Sequence, residues 1–200
     1  MTLRTANADD LEAIMALERA SFPTDAWSEA MMREELASRH GRYLVLEEAG
    51  RLIGYGGIRA VRGGTDADIQ TIALVEDARG RGRGRGLLRS LLTEAGERGA
   101  REVFLEVRAD KPIPQALYVS EGFVEIARRP NYYQPDGVDA IVMRLDLLGW
   151  LAEHSGTDVV DSASEIRSES ASYAPDAPTP AESPTLDRGP TAVSEAGACT

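Results

Sequence analysis

IQTIALVEDARGRGRGRGLLRSLL, residues Ile69–Leu92, decides how this 200-residue chain is read. It is an apolar strand, a short acidic loop, glycines alternating with arginines, and then a helix striped with leucine. Leu87, Leu88, Leu91, Leu92 and Ala95 recur at helical spacing, so one face of that helix is expected to be buried. A glycine-rich turn between a strand and a helix start is an anion site. Bare N–H groups converge there, and the helix dipole adds about half a positive charge. Glycine matters because a Cβ would hold a pyrophosphate away, and because such turns use positive φ. The stretch points to a phosphorylated cofactor.

Several phosphate loops compete for those glycines. Gly80, Gly82 and Gly86 meet the dinucleotide spacing G-x-G-x-x-G, but only because every second residue is glycine. No acidic residue closes the following strand in the expected way, although Glu106 lies nearby. The Lys-Ser/Thr ending of a P-loop is absent. An Arg-Gly segment that binds RNA is disfavoured by the strand–helix setting and by a net charge of −11. The remaining pattern, R/Q-x-x-G-x-G/A, is met by Arg79-Gly80-Arg81-Gly82-Arg83-Gly84 and resembles the acetyl-CoA loop of the GNAT N-acetyltransferases.

Composition breaks near residue 150. Residues 1–150 carry 20 of the 22 basic and 24 of the 33 acidic side chains, a net charge of −4; residues 151–200 carry 2 and 9, a net of −7. The second segment is rich in Ser, Thr, Pro and Ala and lacks apolar periodicity, so it is expected to be a disordered acidic tail. The chain thus divides into a domain over 1–150 and a tail over 151–200. The one cysteine, Cys199, lies in the tail, which excludes a disulfide within the chain and thiol catalysis in the domain. His40 and His154 cannot form a zinc site alone, and no metal is expected. No apolar run approaches membrane-spanning length, and the N-terminus lacks a signal-like apolar segment. The expectation is a cytoplasmic monomer or weak dimer with no membrane or direct nucleic-acid partner.

Around the glycine loop, the spacing predicts a first strand at Thr2–Arg4, a helix capped by Asn7, and a second helix capped by Ser28. Strands follow at Tyr43–Glu47, Leu52–Val61 and Asp68–Leu74, as an antiparallel set. After the glycine-loop helix come a strand at Val103–Val107, a short helix at about Pro114–Ser120, and a hairpin of Phe123–Ala127 with Asp139–Leu145 around a long loop. This order is an α+β arrangement with a mixed central sheet flanked by helices. Alternation along Val103–Val107 sets Glu106 beside Phe104, on the face opposite Val103, Leu105 and Val107. From the residues alone, Glu106 reads first as a solvated strand-end carboxylate and Tyr118 as a packing tyrosine.

Residues 3–146 as a whole resemble the RimI-type branch of the GNAT family, which acetylates the N-terminal α-amine of a ribosomal protein. The resemblance rests on Glu18-Arg19, Phe22-Pro23, Trp27-Ser28, Ile72-Ala73-Leu74, the glycine loop, LEVRA at 105–109, ALY at 116–118, GF at 122–123, NYY at 131–133 and DAIVM at 139–143. It implies the GNAT fold and an acetyl-CoA-dependent acyltransferase acting by direct transfer on a protein N-terminus, with a ribosomal protein bearing N-terminal alanine as the acceptor. Lysine side chains or a small-molecule amine as acceptor, and a non-catalytic CoA-binding module, are the alternatives.

By the same resemblance, Glu106 is the general base and Tyr118 the general acid. Ile72, Ala73 and Leu74 pair with the pantetheine arm. Arg79, Gly80, Arg81, Gly82, Arg83, Gly84 and Arg85 surround the pyrophosphate. Phe22, Trp27, Tyr132 and Tyr133 line the acceptor groove. The family usually has asparagine where this chain has Lys111; an ammonium donates hydrogen bonds but accepts none, so any cofactor contact there differs.

Overall fold

The computed structural model describes residues 1–154. In chain order they form β1 (Thr2–Thr5), α1 (Leu11–Ser21), α2 (Glu29–Ala37), β2 (Gly41–Glu48), β3 (Arg51–Ala60), β4 (Asp66–Leu74), α3 (Arg83–Glu97), β5 (Glu102–Arg108), α4 (Pro112–Ser120), β6 (Val124–Tyr133), β7 (Val138–Asp146) and α5 (Leu147–His154). The sheet has seven strands in the order β1-β2-β3-β4-β5-β7-β6. All neighbours are antiparallel except β4 and β5. No described helix is long and apolar enough to cross a membrane. Cys199 and residues 155–200 of the expected tail lie outside the described residues.

Capping follows the side chains. Asn7 closes a capping box with Asp10 over a single 3-10 turn, Ala8–Asp10, and α1 begins only after it. Ser28 Oγ accepts the Met31 N–H at 3.2 Å and starts α2. The leucine stripe of α3 is buried as its spacing predicts, in a core shared with β5, β7, Phe123 and Trp150. A second core lies on the other face of the sheet, built from Ile14, Met15, Leu17, Met32, Tyr43, Val45, Tyr55 and Ala73.

Two irregularities set the course of β4. Gly57 pairs with Thr71 and Ile58 with Ile69, so Gln70 is an extra residue, a β-bulge. The bulge reverses the side-chain alternation. Ala67 and Ile69 join the α3 core, whereas Ala73, two positions after Thr71, joins the α1 core. Parallel pairing with β5 covers only Asp66–Asp68 against Glu102–Phe104. β4 runs on to Leu74 and β5 to Arg108, so the sheet splits between them.

Two elements differ from expectation at the C-terminal end. The spacing puts Tyr132 and Tyr133 in the loop of the last hairpin, but β6 continues through both. Register shifts between Glu125 and Ala127 and between Arg129 and Tyr133, together with exposure on both faces, hide its alternation. Helix α5 has no counterpart among the expected elements, and the domain limit at 150 falls inside it. Leu147 and Trp150 are buried there, and Leu151 packs so closely on α3 that a Cβ at Gly96 would lie 2.7 Å from its Cδ1.

Candidate active site

The glycine loop opens α3 as an anion cradle. Gly80 and Gly82 have φ of +72° and +76°, which side-chain-bearing residues rarely adopt. Gly82 takes the N-cap position, no side chain caps the helix, and its first turn contains no acidic residue. The first helical bond runs from the Gly86 N–H to the Gly82 carbonyl at 3.0 Å. The amides of Arg83, Gly84 and Arg85 therefore precede the ladder and face outward from the helix start. At Gly84 a Cβ would sit 3.2 Å from Leu74 Cδ1, so a small residue lets α3 rest against β4.

The arginines divide by partner. Arg79 Nε donates to the Leu74 carbonyl at 3.0 Å. Arg83 pairs with Glu48 at 2.7 Å, and Arg85 donates to Glu121 and to Ser120 Oγ, each at 3.0 Å. Arg81 has neither a hydrogen bond nor an ion pair among the described residues; it borders a cavity of about 360 Å³ lined also by Glu48, Arg51, Asp77 and Arg83. Ile72, Ala73 and Leu74 pair with Gly56, Tyr55 and Gly54 on one edge, and their other edge faces the split. This open backbone edge, followed by a loop of outward amides, fits an extended amide-bearing arm that ends in phosphates.

Glu106 and Tyr118 lie on opposite faces of the sheet. Val103, Leu105 and Val107 are buried in the α3 core, so Phe104, Glu106 and Arg108 project to the α1–α2 side. Glu106 Oε1 lies 2.8 Å from Arg129 Nη1 on the edge strand. Tyr118 sits in the α3 core, edge-on to Phe123 with ring centroids 5.8 Å apart. Burial pushes its phenol up to about 12, and its hydroxyl has no hydrogen-bond partner among the described residues. Helix α4 is placed by both ends. Gln115 Nε2 donates to the carbonyls of Arg108 (2.8 Å) and Ala109 (3.1 Å). Glu121, buried just past the other end, accepts from Arg85, Arg89 and Trp150. Lys111 occupies the N-cap of α4 with its side chain exposed, ahead of Pro112 at the first helical position.

Tyr132 and Tyr133, expected to line an acceptor groove, sit in a circuit with arginines that sequence spacing did not reveal. Tyr132 and Tyr133 meet edge to face, 5.2 Å between centroids. Arg129 lies over Tyr132 at 5.4 Å and Arg108 over Tyr133 at 5.1 Å. Burial and the nearby Glu106 charge both push the Tyr133 phenol up. Arg108 also pairs with Asp136 (2.9 Å), Asp110 (3.0 Å) and Asp25 (3.7 Å), and it holds the Asp110 carboxyl below the usual carboxylate range. Thr24 Oγ1 donates to Asp136 Oδ2 at 3.0 Å, so the loop joining α1 to α2 meets the turn joining β6 to β7. Phe22 and Trp27, in that first loop, are partly buried and pack on the α1 core. Only Arg108 carried a signal, through its parity with Glu106; Arg129, Asp25 and Asp136 are brought in by tertiary structure. Among the described residues no group of three His, Cys, Asp or Glu side chains is placed to hold a metal.

Comparison with known proteins agrees with this geometry. The acetyltransferase (GNAT) family profile matches residues 11–123. The chain is 39% identical over 150 residues to the N-alpha-acetyltransferase RimI of Mycobacterium tuberculosis, covering 73% of this chain and 92% of that one. It is 36% identical over 153 residues to the [ribosomal protein bS18]-alanine N-acetyltransferase of Escherichia coli, covering 73% and 97%. The crystal structure of the ribosomal-protein-S18-alanine N-acetyltransferase from Escherichia coli superposes with a TM-score of 0.67 at 32% identity, over 73% of this chain and 93% of that one.

Proposed function

The chain belongs to the GNAT acetyltransferase family, and from that premise we propose that it acetylates the N-terminal α-amine of a ribosomal protein, with alanine as the first residue. It is an acetyl-CoA-dependent N-acetyltransferase. The observation that carries the acceptor is that relatives matched over nearly their whole length act on the alanine N-terminus of ribosomal protein bS18. The split beside β4 and the glycine loop support a cosubstrate lying along Ile72–Leu74 with its phosphates at Gly80–Arg85, and Arg81, which has no ion-pair partner among the described residues, supplies a cation there.

The chemistry suits an α-amine. An amine attacks a thioester only when neutral. Moving from a lysine amine near 10.4 to an α-amine near 7.9 lowers the deprotonation cost by about 3.4 kcal/mol. Glu106 accepts the proton, directly or through water, after the incoming ammonium takes the place of Arg129 at its carboxylate. Tyr118, with its phenol at about 12, keeps its proton at neutral pH. Full transfer to a thiolate near 8.5 is uphill by roughly 5 kcal/mol. Tyr118 therefore acts first as a hydrogen-bond donor to the departing sulfur, stabilising charge as it develops.

The test is acetyl transfer to short peptides with free or blocked α-amines, with and without lysine, beside spermidine and free amino acids. Acetylation that disappears on blocking the α-amine is the expected result; acetylation of blocked lysine peptides or of spermidine alone refutes the proposal. Glu106→Gln is expected to keep acetyl-CoA binding and lose turnover.

A further inference from the structure

One buried carboxylate takes no part in the acetyl transfer itself. Glu18, on the last turn of α1, is 1% exposed in a core that holds Ile14, Met15, Leu17, Met32, Val45 and Ala73 beside Tyr43 and Tyr55. Its Oε1 accepts the backbone N–H of Trp27 at 3.0 Å, and its Oε2 accepts the Tyr55 hydroxyl. The Tyr55 oxygen stands 3.4 Å from Thr71 Oγ1. Thr71 is the first residue after the bulge in β4, where that strand has parted from β5. Trp27 belongs to the loop between α1 and α2 that reaches Asp136 and Arg108.

A line of buried hydrogen bonds therefore joins the acceptor-side loop to the cofactor-side strand. The loop needs such a tie: it belongs to no helix or strand, and a turn at residues 23–25 is its one piece of regular backbone structure. It is held at Thr24–Asp25 by the groove's far wall and at Trp27 by Glu18. A carboxylate used only to fill this core would be a poor choice, since an apolar side chain of the same volume avoids desolvation. Its use becomes intelligible if two donors, the Trp27 N–H and the Tyr55 hydroxyl, must be satisfied at a fixed separation.

We propose that Glu18 is a positioning residue for the acceptor. By linking Trp27 through Tyr55 to Thr71, it fixes the height of the Phe22–Ser28 loop over the split, and so the distance between the bound amine and the thioester carbonyl. This rests on the acetyl-transfer reading, but not on which amine is the acceptor.

The experiment compares wild type with Glu18→Ala, Glu18→Gln and Tyr55→Phe, using whichever amine the wild type acetylates. It measures KM and kcat for that amine, acetyl-CoA affinity by calorimetry, melting temperature, and amide hydrogen exchange at Trp27. Glu18→Ala is expected to raise the acceptor KM about tenfold or more, leave acetyl-CoA affinity within about twofold, and speed exchange at Trp27. Glu18→Gln restores most of the KM, because its amide oxygen still accepts from Trp27, and Tyr55→Phe falls between. An unchanged acceptor KM in folded Glu18→Ala, or a parallel loss of acetyl-CoA affinity, overturns the proposal. If the alanine variant does not fold, unaltered KM and Trp27 exchange in Tyr55→Phe overturn it instead. A wild type that acetylates only lysine or spermidine refutes the acceptor assignment while leaving this comparison intact.

Discussion

Replacing Glu121 with alanine should cost stability and turnover together. Its side chain is fully buried and receives Arg85 Nη1 at 3.0 Å, Arg89 Nε at 2.9 Å, Arg89 Nη2 at 3.0 Å and Trp150 Nε1 at 3.3 Å. The arginine side chains are each 43% exposed, so water takes up much of what they lose and the pairs count for about 1 kcal/mol. Trp150 is only 6% exposed, and its stranded N–H costs about 1–3 kcal/mol. Removing the one packed methylene, Cγ, costs about 0.8 kcal/mol. The whole comes to about 4 kcal/mol, or a melting point lower by roughly 8–16 °C for a domain of this size. Glu121→Gln keeps an acceptor in place and should lose less than half as much. The assay is thermal unfolding followed by circular dichroism at neutral pH. A drop below about 3 °C, or a glutamine variant as damaged as the alanine one, would refute the reasoning. Turnover should fall because the same carboxylate ties the Tyr118 helix to α3, whose N-terminus carries the glycine loop.

Other expectations rest on single contacts. Burial raises the pKa of Glu18 from the ordinary 4.5, with Asp25 adding to the rise and Trp27 and Tyr55 opposing it; Tyr43, and beyond it Glu35 and Arg59, complete the nearby titratable and charged groups. From about pH 4.5 upward the unfolded chain releases this proton first, so stability falls with rising pH until native Glu18 also ionises. Glu18→Gln should remove that slope in denaturant titrations; parallel curves for both proteins would contradict it. Gly57→Ala would set a Cβ 2.2 Å from Tyr43 Cε1, in a core where Tyr43 is 3% exposed. It should destabilise by about 3 kcal/mol, and a loss under about 0.5 kcal/mol by urea titration would show the ring is free to move. Arg81→Ala should weaken acetyl-CoA binding about fivefold, more at low salt, whereas Arg85→Ala should cost stability; calorimetry showing the reverse order would reject the assignment. Tyr118→Phe should reduce kcat about tenfold or more with acetyl-CoA affinity unchanged, and a full kcat would remove Tyr118 from the chemistry.

Where local chemistry sets the backbone, the structure is legible in the sequence. The α3 stripe, the Ser28 cap, the strand–glycine–helix unit and the parity of Val103–Val107 all follow from periods and caps, and all are present. Helix α5 is not legible because it is short, follows β7 without a turn signal and adjoins the Ser/Pro-rich tail. The full length of β6 is hidden by its two register shifts, which break the alternation that marks a strand. The bulge at Gln70 escapes for a related reason: Ile69, Thr71 and Ala73 read as one face of a strand, although the extra residue sends Ile69 to one core and Ala73 to the other.

That bulge and the short β4–β5 pairing explain why the candidate site is half visible in the sequence. Parity along β5 places Glu106 and Arg108 together, because it depends on one strand alone. Nothing local could place Tyr118 on the opposite face of the sheet, since its position depends on α4 being fastened to β5 by Gln115 and to α3 by Glu121. The partners of Glu106 and Arg108 come from a loop near residue 25 and an edge strand beyond residue 124, joined only by folding. The split sheet creates this arrangement. Where β4 leaves β5, two strand edges face one gap, and on the proposed reading a carboxylate from one face and a phenol from the other approach the same molecule there. A continuous β4–β5 ladder would hold the same residues on opposite sides of a closed sheet, with no chemistry in common.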